Sequence, residues 1–197
     1  MTRTEKPVLA LAGSLRRDSM NRLLLKAAAQ VVPEGMTLTV YDDLASVPLF
    51  NEDLETDGGP AGVQRLRGAV AASRGMLIAT PEYNHSVPGV LKNSIDWLSR
   101  PGPEEVLERK PIALVGVTSG QWGTRLAQAA LRQILFATES LVMPESAMFV
   151  RQGKGLFDAE GRLHDEAARG SLRNLLQNFA AWMDLVDGQR SLSTKVR

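Results

Sequence analysis

The sequence contains no cysteine. That single absence excludes structural disulfides, thiolate zinc sites, iron–sulfur clusters and thiol nucleophiles, and it is compatible with a reducing compartment. An excess of one charge is also missing, since 23 Lys and Arg stand against 22 Asp and Glu for a formal net charge of +1. A domain that lives on phosphate backbone carries a strong basic excess, so nucleic acid is not the expected partner. No apolar run approaches the roughly 20 residues of a membrane-spanning helix. The polar start, Met1 to Lys6, leads straight into the short apolar run Val8 to Ala12, which is too short for the core of a signal peptide. A cytoplasmic protein without a membrane partner is therefore expected. Internal repeats and low-complexity tracts are lacking too, and the prolines and glycines fall as punctuation between apolar segments.

What is present suits one compact domain over residues 1–197. At this length a chain buries about 70% of its unfolded surface, so no metal or disulfide staple is required. Val8 to Ala12, Met76 to Ala79 and Ile112 to Val117 are continuous apolar runs, short enough for strands buried on both faces of a parallel sheet. Met36 to Tyr41 instead alternates, as a half-covered edge strand does, and Leu141 to Met143 supplies a fifth strand. Between them lie helical patterns. Leu23, Leu24, Ala27, Ala28 and Val31 share one face, and so do Leu172, Leu175, Leu176, Phe179, Met183 and Val186, with Gly188 as the expected stop of that last helix. Val63 to Ser73, Val90 to Ser99 and Thr124 to Thr138 are the expected middle crossovers. Alternating strands and helices predict an α/β fold, a doubly wound five-stranded parallel sheet with helices on both faces. Ligands of such sheets sit beyond the carboxyl ends of the strands, where the strand order reverses.

Three loops therefore carry the functional argument. The first is Gly13-Ser14-Leu15-Arg16-Arg17-Asp18-Ser19-Met20-Asn21, between a strand and a helix. A helix start offers unpaired N–H groups and a positive dipole end; Ser14, Ser19 and Asn21 add neutral donors, and Arg16 or Arg17 adds a forked cation. With one glycine and no Gly-Lys-Ser/Thr, the loop fits a terminal phosphate monoester better than a pyrophosphate. The competing reading is an ordinary helix start capped by Asp18 or Ser19 with solvated arginines. The second loop, Thr80 to Gly89, holds two prolines and the run Pro81-Glu82-Tyr83-Asn84. A rigid bend that presents backbone N–H groups beside an aromatic suits a flat heteroaromatic ring, with Tyr83 covering it; the alternative is a proline-locked turn. His85 in this loop reads as solvent-facing or hydrogen-bonding rather than catalytic. The only other histidine is His164, and no pattern makes a metal site or hydrolytic triad. The third loop, Gly116-Val117-Thr118-Ser119-Gly120-Gln121-Trp122-Gly123, is small and hydroxylated, so backbone can approach a ligand and the following helix start can support negative charge. Its alternative is a glycine-rich connection.

Taken in this order, the motifs resemble the NAD(P)H-dependent FMN reductase family of flavodoxin-like proteins, which includes quinone, azo-dye and chromate reductases. The resemblance spans roughly Val8 to Glu145. Gly13-Ser14-Leu15-Arg16 with Ser19 and Asn21 is similar to the family's FMN phosphate loop. Pro81-Glu82-Tyr83-Asn84, followed by Ser86-Val87-Pro88-Gly89-Val90-Leu91-Lys92-Asn93 and Asp96-Trp97, is similar to its most recognisable signature. The resemblance implies a sheet of order 2-1-3-4-5, non-covalent FMN, and NADPH or NADH as co-substrate. It implies Pro81, Glu82, Tyr83 and Asn84 along the isoalloxazine ring, and Thr118, Ser119 and Gly120 at its other edge, near the pyrimidine end where a reduced flavin carries its charge. It also implies a homodimer or homotetramer, for which the helix holding Asn93 and Trp97 and the loop Val47 to Asp53 are the segments to inspect. For Leu49, Phe50 and Trp97 the alternative is local core packing. This chain departs at Gly123-Thr124-Arg125, where relatives carry paired glycines and a spacer before the arginine, so a tetramer contact is not carried over to Arg125. Pro144-Glu145 does match.

The chemistry implied is a ping-pong hydride relay from NAD(P)H through bound FMN to a quinone, free flavin, azo compound or metal oxyanion. It requires no dedicated acid, base or metal, because the cofactor does the hard chemistry. Arg16 and Arg17 are the candidates for meeting the 2′-phosphate of NADPH. Two other readings share the scaffold: an electron carrier without its own NAD(P)H turnover, and a phosphate-sensing domain. Carriers meet partners through a strongly acidic face, of which a net charge of +1 gives no sign. A colourless sensor leaves the proline and tyrosine loop without a purpose. Arg151 to Arg162, with its three glycines, reads as a mobile loop or hairpin without an assigned role.

Overall fold

The computed structural model describes residues 5–100, 105–144 and 148–193, so the Glu145 half of the Pro144-Glu145 pair lies outside the described residues. The strands are β1 Lys6–Ala12, β2 Met36–Tyr41, β3 Gly75–Ala79, β4 Pro111–Val117, β5 Leu141–Val142 and β6 Met148–Val150. The helices are α1 Met20–Ala29, α2 Ala61–Ala72, α3 Gly89–Leu98, α4 Arg125–Ala137 and α5 Glu166–Ser193. All ladders are parallel and the order is β2-β1-β3-β4-β5, with β6 also pairing β4.

The continuous apolar strands divide their residues between two cores because successive side chains point to opposite faces. Val8 and Ala10 of β1, Leu77 of β3, and Ala113 and Val115 of β4 pack with α1 and α5. Their neighbours Leu9, Leu11, Met76, Ile78, Ile112 and Leu114 pack with α2, α3 and α4. That division is why those segments read as unbroken hydrophobic runs. The edge strand β2 keeps its alternation: Leu38 and Val40 are half-buried and Thr37 and Thr39 are exposed.

Two expectations need correction. The fifth strand is split, with Leu141 and Val142 opposite Pro111 and Ile112, and Met148 to Val150 opposite Val115 to Val117, all on the edge of β4 away from β3. Pro144, which follows the Met143 N–H bond to the Ile112 carbonyl (2.8 Å), has no N–H with which to continue the ladder. The last helix does not stop at Gly188 but runs through it to Ser193. Gly188 lacks the positive φ of a terminating glycine. The stripe ending in Val186, 2% exposed, holds the helix to the core almost to that point.

Arg151 to Arg162 is a hairpin. A 3-10 turn at Gly153–Leu156 leads into an antiparallel bridge between Phe157 and Leu163. At its tip the Arg162 backbone N–H and guanidinium hold the Asp158 carboxyl below the ordinary carboxylate range. That support is present at neutral pH and is lost as the pH falls through the lowered value.

Candidate functional site

The order places β1 between β2 and β3, so the point where the strand order reverses falls at the carboxyl ends of β1 and β3. A cleft of about 180 Å³ opens there. Ser14, Arg16, Ser19 and Asn21 line it from the first loop, Pro81, Glu82 and Tyr83 from the second, and Thr118 and Ser119 from the third, together with Met20 and Val117. The structure thus brings together most of the residues singled out from the sequence. Leu15, Asn84 and Gly120 stand outside the lining; Leu15 is 52% exposed.

In the first loop Gly13 extends β1, its N–H donating to the Ala79 carbonyl at 2.8 Å. Ser14 is buried, and its hydroxyl accepts the Arg16 N–H at 3.3 Å and lies 3.5 Å from the Tyr83 hydroxyl. Ser19 occupies the N-cap position of α1 and is buried, yet its hydroxyl caps no helix N–H, and no acid stands in the first turn. Arg16 and Arg17 are exposed. Asn21 is engaged differently from a simple phosphate donor: its Nδ2 donates to the Val117 carbonyl and its Oδ1 accepts the Val117 N–H, each at 3.0 Å. It latches the start of α1 to the end of β4.

The second loop turns tightly. Tyr83 and Ser86 exchange backbone bonds of 3.1 and 3.0 Å around Asn84 and His85, both with positive φ. This is the geometry of a type I′ turn, which asparagine tolerates through its short polar side chain. Tyr83 is left 46% exposed at the mouth of the cleft. His85 projects to solvent, its Nδ1 3.7 Å from Glu82 Oε1. Glu82 itself reaches out of the loop, and its Oε2 accepts the N–H groups of Leu126 (2.9 Å) and Ala127 (3.0 Å) in the first turn of α4. The helix start that sequence reasoning assigned to a ligand's charge is therefore already bonded to a carboxylate of the protein.

In the third loop the Gly116 position admits no side chain, because a Cβ would collide with the Thr124 hydroxyl and the Thr80 carbonyl. The hairpin clamps this loop: the N–H groups of Gly153 and Gln152 donate to the Thr118 and Gly120 carbonyls at 2.9 and 3.0 Å. Gly153 also abuts Val117 and Met20. The segment without an assigned role is a collar that joins the first and third loops.

The α3 segment holding Asn93 and Trp97 and the loop Val47 to Asp53 pack on each other. Trp97 is fully buried, its Nε1 donating to the Pro48 carbonyl at 2.8 Å, while Asn93 bonds both that carbonyl (2.8 Å) and the Phe50 N–H (2.7 Å). Phe50 meets Trp97 edge-on at 4.9 Å. Leu49 between them remains 83% exposed. Among the described residues no group of three or more His, Cys, Asp or Glu could hold a metal, and no helix is long and apolar enough to cross a membrane.

Two buried hydroxyls and an arginine around an uncapped helix start suit a phosphate monoester. A half-exposed tyrosine beside them suits a ring stacked at the opening. The fold and this cleft define a flavodoxin-like, mononucleotide-binding protein. The NADPH-dependent FMN reductase family matches residues 7–155, and the chain belongs to that family. It is 40% identical over 181 residues to an NAD(P)H-dependent FMN reductase of Pseudomonas aeruginosa, covering 92% of this chain and 97% of that one. It is 35% identical over 176 residues to a 2-hydroxy-1,4-benzoquinone reductase of a Burkholderia species, covering 89% and 95%. The structure is similar to that of a flavoenzyme NAD(P)H:acceptor oxidoreductase from Paracoccus denitrificans, with a TM-score of 0.81 and 32% identity over 91% and 97% of the two chains. The protein is an oxidoreductase with FMN as cofactor and NAD(P)H as co-substrate.

Proposed function

We propose that the protein oxidises NAD(P)H through FMN held in this cleft and passes the electrons to quinones, working as one domain and as a homodimer or dimer of dimers in the cytoplasm. Bound FMN supplies the two-electron relay between nicotinamide and acceptor. The observation that carries the reading is the meeting of Ser14, Ser19 and Arg16 at the start of α1 with Tyr83 in one cleft. Ser14, Ser19 and the first N–H groups of α1 bind the phosphate, Arg16 closes over it, and Pro81 to Asn84 with Thr118 to Gly120 border the ring. A cleft of about 180 Å³ is smaller than the roughly 300–1,000 Å³ that encloses a drug-sized ligand, so part of the ring stays open to planar acceptors. Free flavin, azo compounds and metal oxyanions meet the same open face.

An absorbance spectrum of the purified protein with FMN, followed by NADPH and then benzoquinone in one cuvette, tests this directly. Bleaching of the bound-flavin band and its return with quinone are expected. A bound band that NADPH leaves unbleached would instead identify an electron carrier, and no bound flavin would end the reading. Tyr83→Ala should lower quinone turnover several-fold and leave the FMN dissociation constant nearly unchanged; parent-like kinetics with several quinones would remove Tyr83 from the ring side. Leu49 is exposed in the loop that Asn93 and Trp97 hold in place, and it is the contact to test between subunits. Leu49→Glu should shift the species seen by analytical ultracentrifugation toward monomer, and an unchanged distribution would move the interface elsewhere.

A further inference from the structure

The start of α4 is capped from a distance. Its own N-cap residue, Thr124, makes no cap bond and its first turn holds no acid. The Thr124 hydroxyl accepts from Gln128 Nε2 at 3.0 Å instead. The Arg125 guanidinium sits over the Phe149 ring at 4.9 Å, turned to a different partner from Glu82. The acceptor for α4 comes from the loop after β3, where Glu82 Oε2 takes both the Leu126 and Ala127 N–H groups. The Glu82 side chain is 12% exposed, its second oxygen faces His85, and the residue lines the cleft.

We propose that Glu82 is a positioning residue for the reductase reaction: it ties the ring-side loop to α4, and its negative charge lowers the reduction potential of the flavin in the cleft. The proposal rests on the reading of the cleft as the FMN site. The tie follows from geometry, because Tyr83 is the next residue and the loop carrying it has no comparable side-chain bond to α4 among the described residues. The charge effect follows from electrostatics. A helix start behaves as roughly half a positive charge, which left free would favour the anionic reduced ring. A full carboxylate bonded there more than offsets it, and the net field disfavours reduction.

Glu82→Gln and Glu82→Ala separate the two effects. Glutamine keeps an oxygen able to accept both N–H groups and loses the charge; alanine loses both. In the flavin-free protein, the Leu126 and Ala127 amides should exchange hydrogen at least tenfold faster in Glu82→Ala and near the parent rate in Glu82→Gln. In the FMN-loaded protein, the midpoint potential of Glu82→Gln should be more positive than the parent's. Quinone turnover should fall by more than tenfold in Glu82→Ala, mainly in kcat, with most of it restored in Glu82→Gln. Parent-like amide exchange in Glu82→Ala would overturn the tie, and an unshifted potential in Glu82→Gln would overturn the charge effect. If Glu82→Ala does not fold, an unshifted potential in Glu82→Gln still overturns the charge effect, and Leu126 and Ala127 amides that exchange in the parent as fast as those of an uncapped helix start overturn the tie. A parent protein that binds no FMN fails at the first spectrum and takes the charge effect with it, whereas the exchange experiment still decides the tie.

Discussion

Replacing Ser14 and Arg16 together by alanine will weaken FMN binding by about 1–3 kcal/mol, roughly 5- to 150-fold in Kd. The two residues contribute unequally. Ser14 is 5% exposed and faces the cleft, so its hydroxyl acts where water does not compete. Arg16 is exposed, so its attraction to a phosphate is screened by solvent and salt, and the upper end of the range applies at low ionic strength. Its own backbone N–H bonds the Ser14 hydroxyl, and the serine therefore also shapes the loop that carries the arginine. Fluorescence titration with FMN and with riboflavin isolates the phosphate contribution. The double variant should lose affinity for FMN while holding riboflavin as the parent does. An unchanged FMN constant would remove the first loop from the binding site.

Asn21→Ala should destabilise the protein by about 2–4 kcal/mol, which for a domain of this size lowers the melting temperature by about 10 °C. The asparagine is 3% exposed and Val117 is 1% exposed, so removing the amide strands an N–H and a carbonyl of β4 away from water. Each buried group left without a partner costs about 1–3 kcal/mol. Asn21→Asp should recover only part of the loss, because its carboxylate accepts the Val117 N–H but faces the Val117 carbonyl with no hydrogen to give. Urea unfolding monitored by circular dichroism measures both variants. A loss below about 1 kcal/mol in Asn21→Ala would show that the latch contributes little, and would return the amide to the phosphate role first read from the sequence.

Much of the fold was legible because parallel strands buried on both faces must be apolar at every position. Val8 to Ala12 and Ile112 to Val117 announce themselves in this way, and the alternation of Met36 to Tyr41 marks the edge. The cleft was legible for a topological reason, since a doubly wound sheet exposes its binding loops where the strand order reverses, and those loops follow β1, β3 and β4. What escaped were features set by neighbours distant in the chain. The sixth strand has three residues after a proline, too few for any periodicity to register. Gly188 looks like a stop in isolation, but the preceding residues are held against the core and the helix continues.

The sequence by itself determined the doubly wound fold, the three loops and the kind of ligand they suit, because each of these depends on local composition and on the spacing of apolar runs. Only the tertiary structure decided what individual side chains do within the loops. Asn21 bonds a strand end 96 residues away, Glu82 caps a helix 44 residues away, and the 151–163 hairpin closes on the third loop. A hydrogen bond between distant residues depends on where packing brings their backbones, and no pattern along the chain encodes that distance.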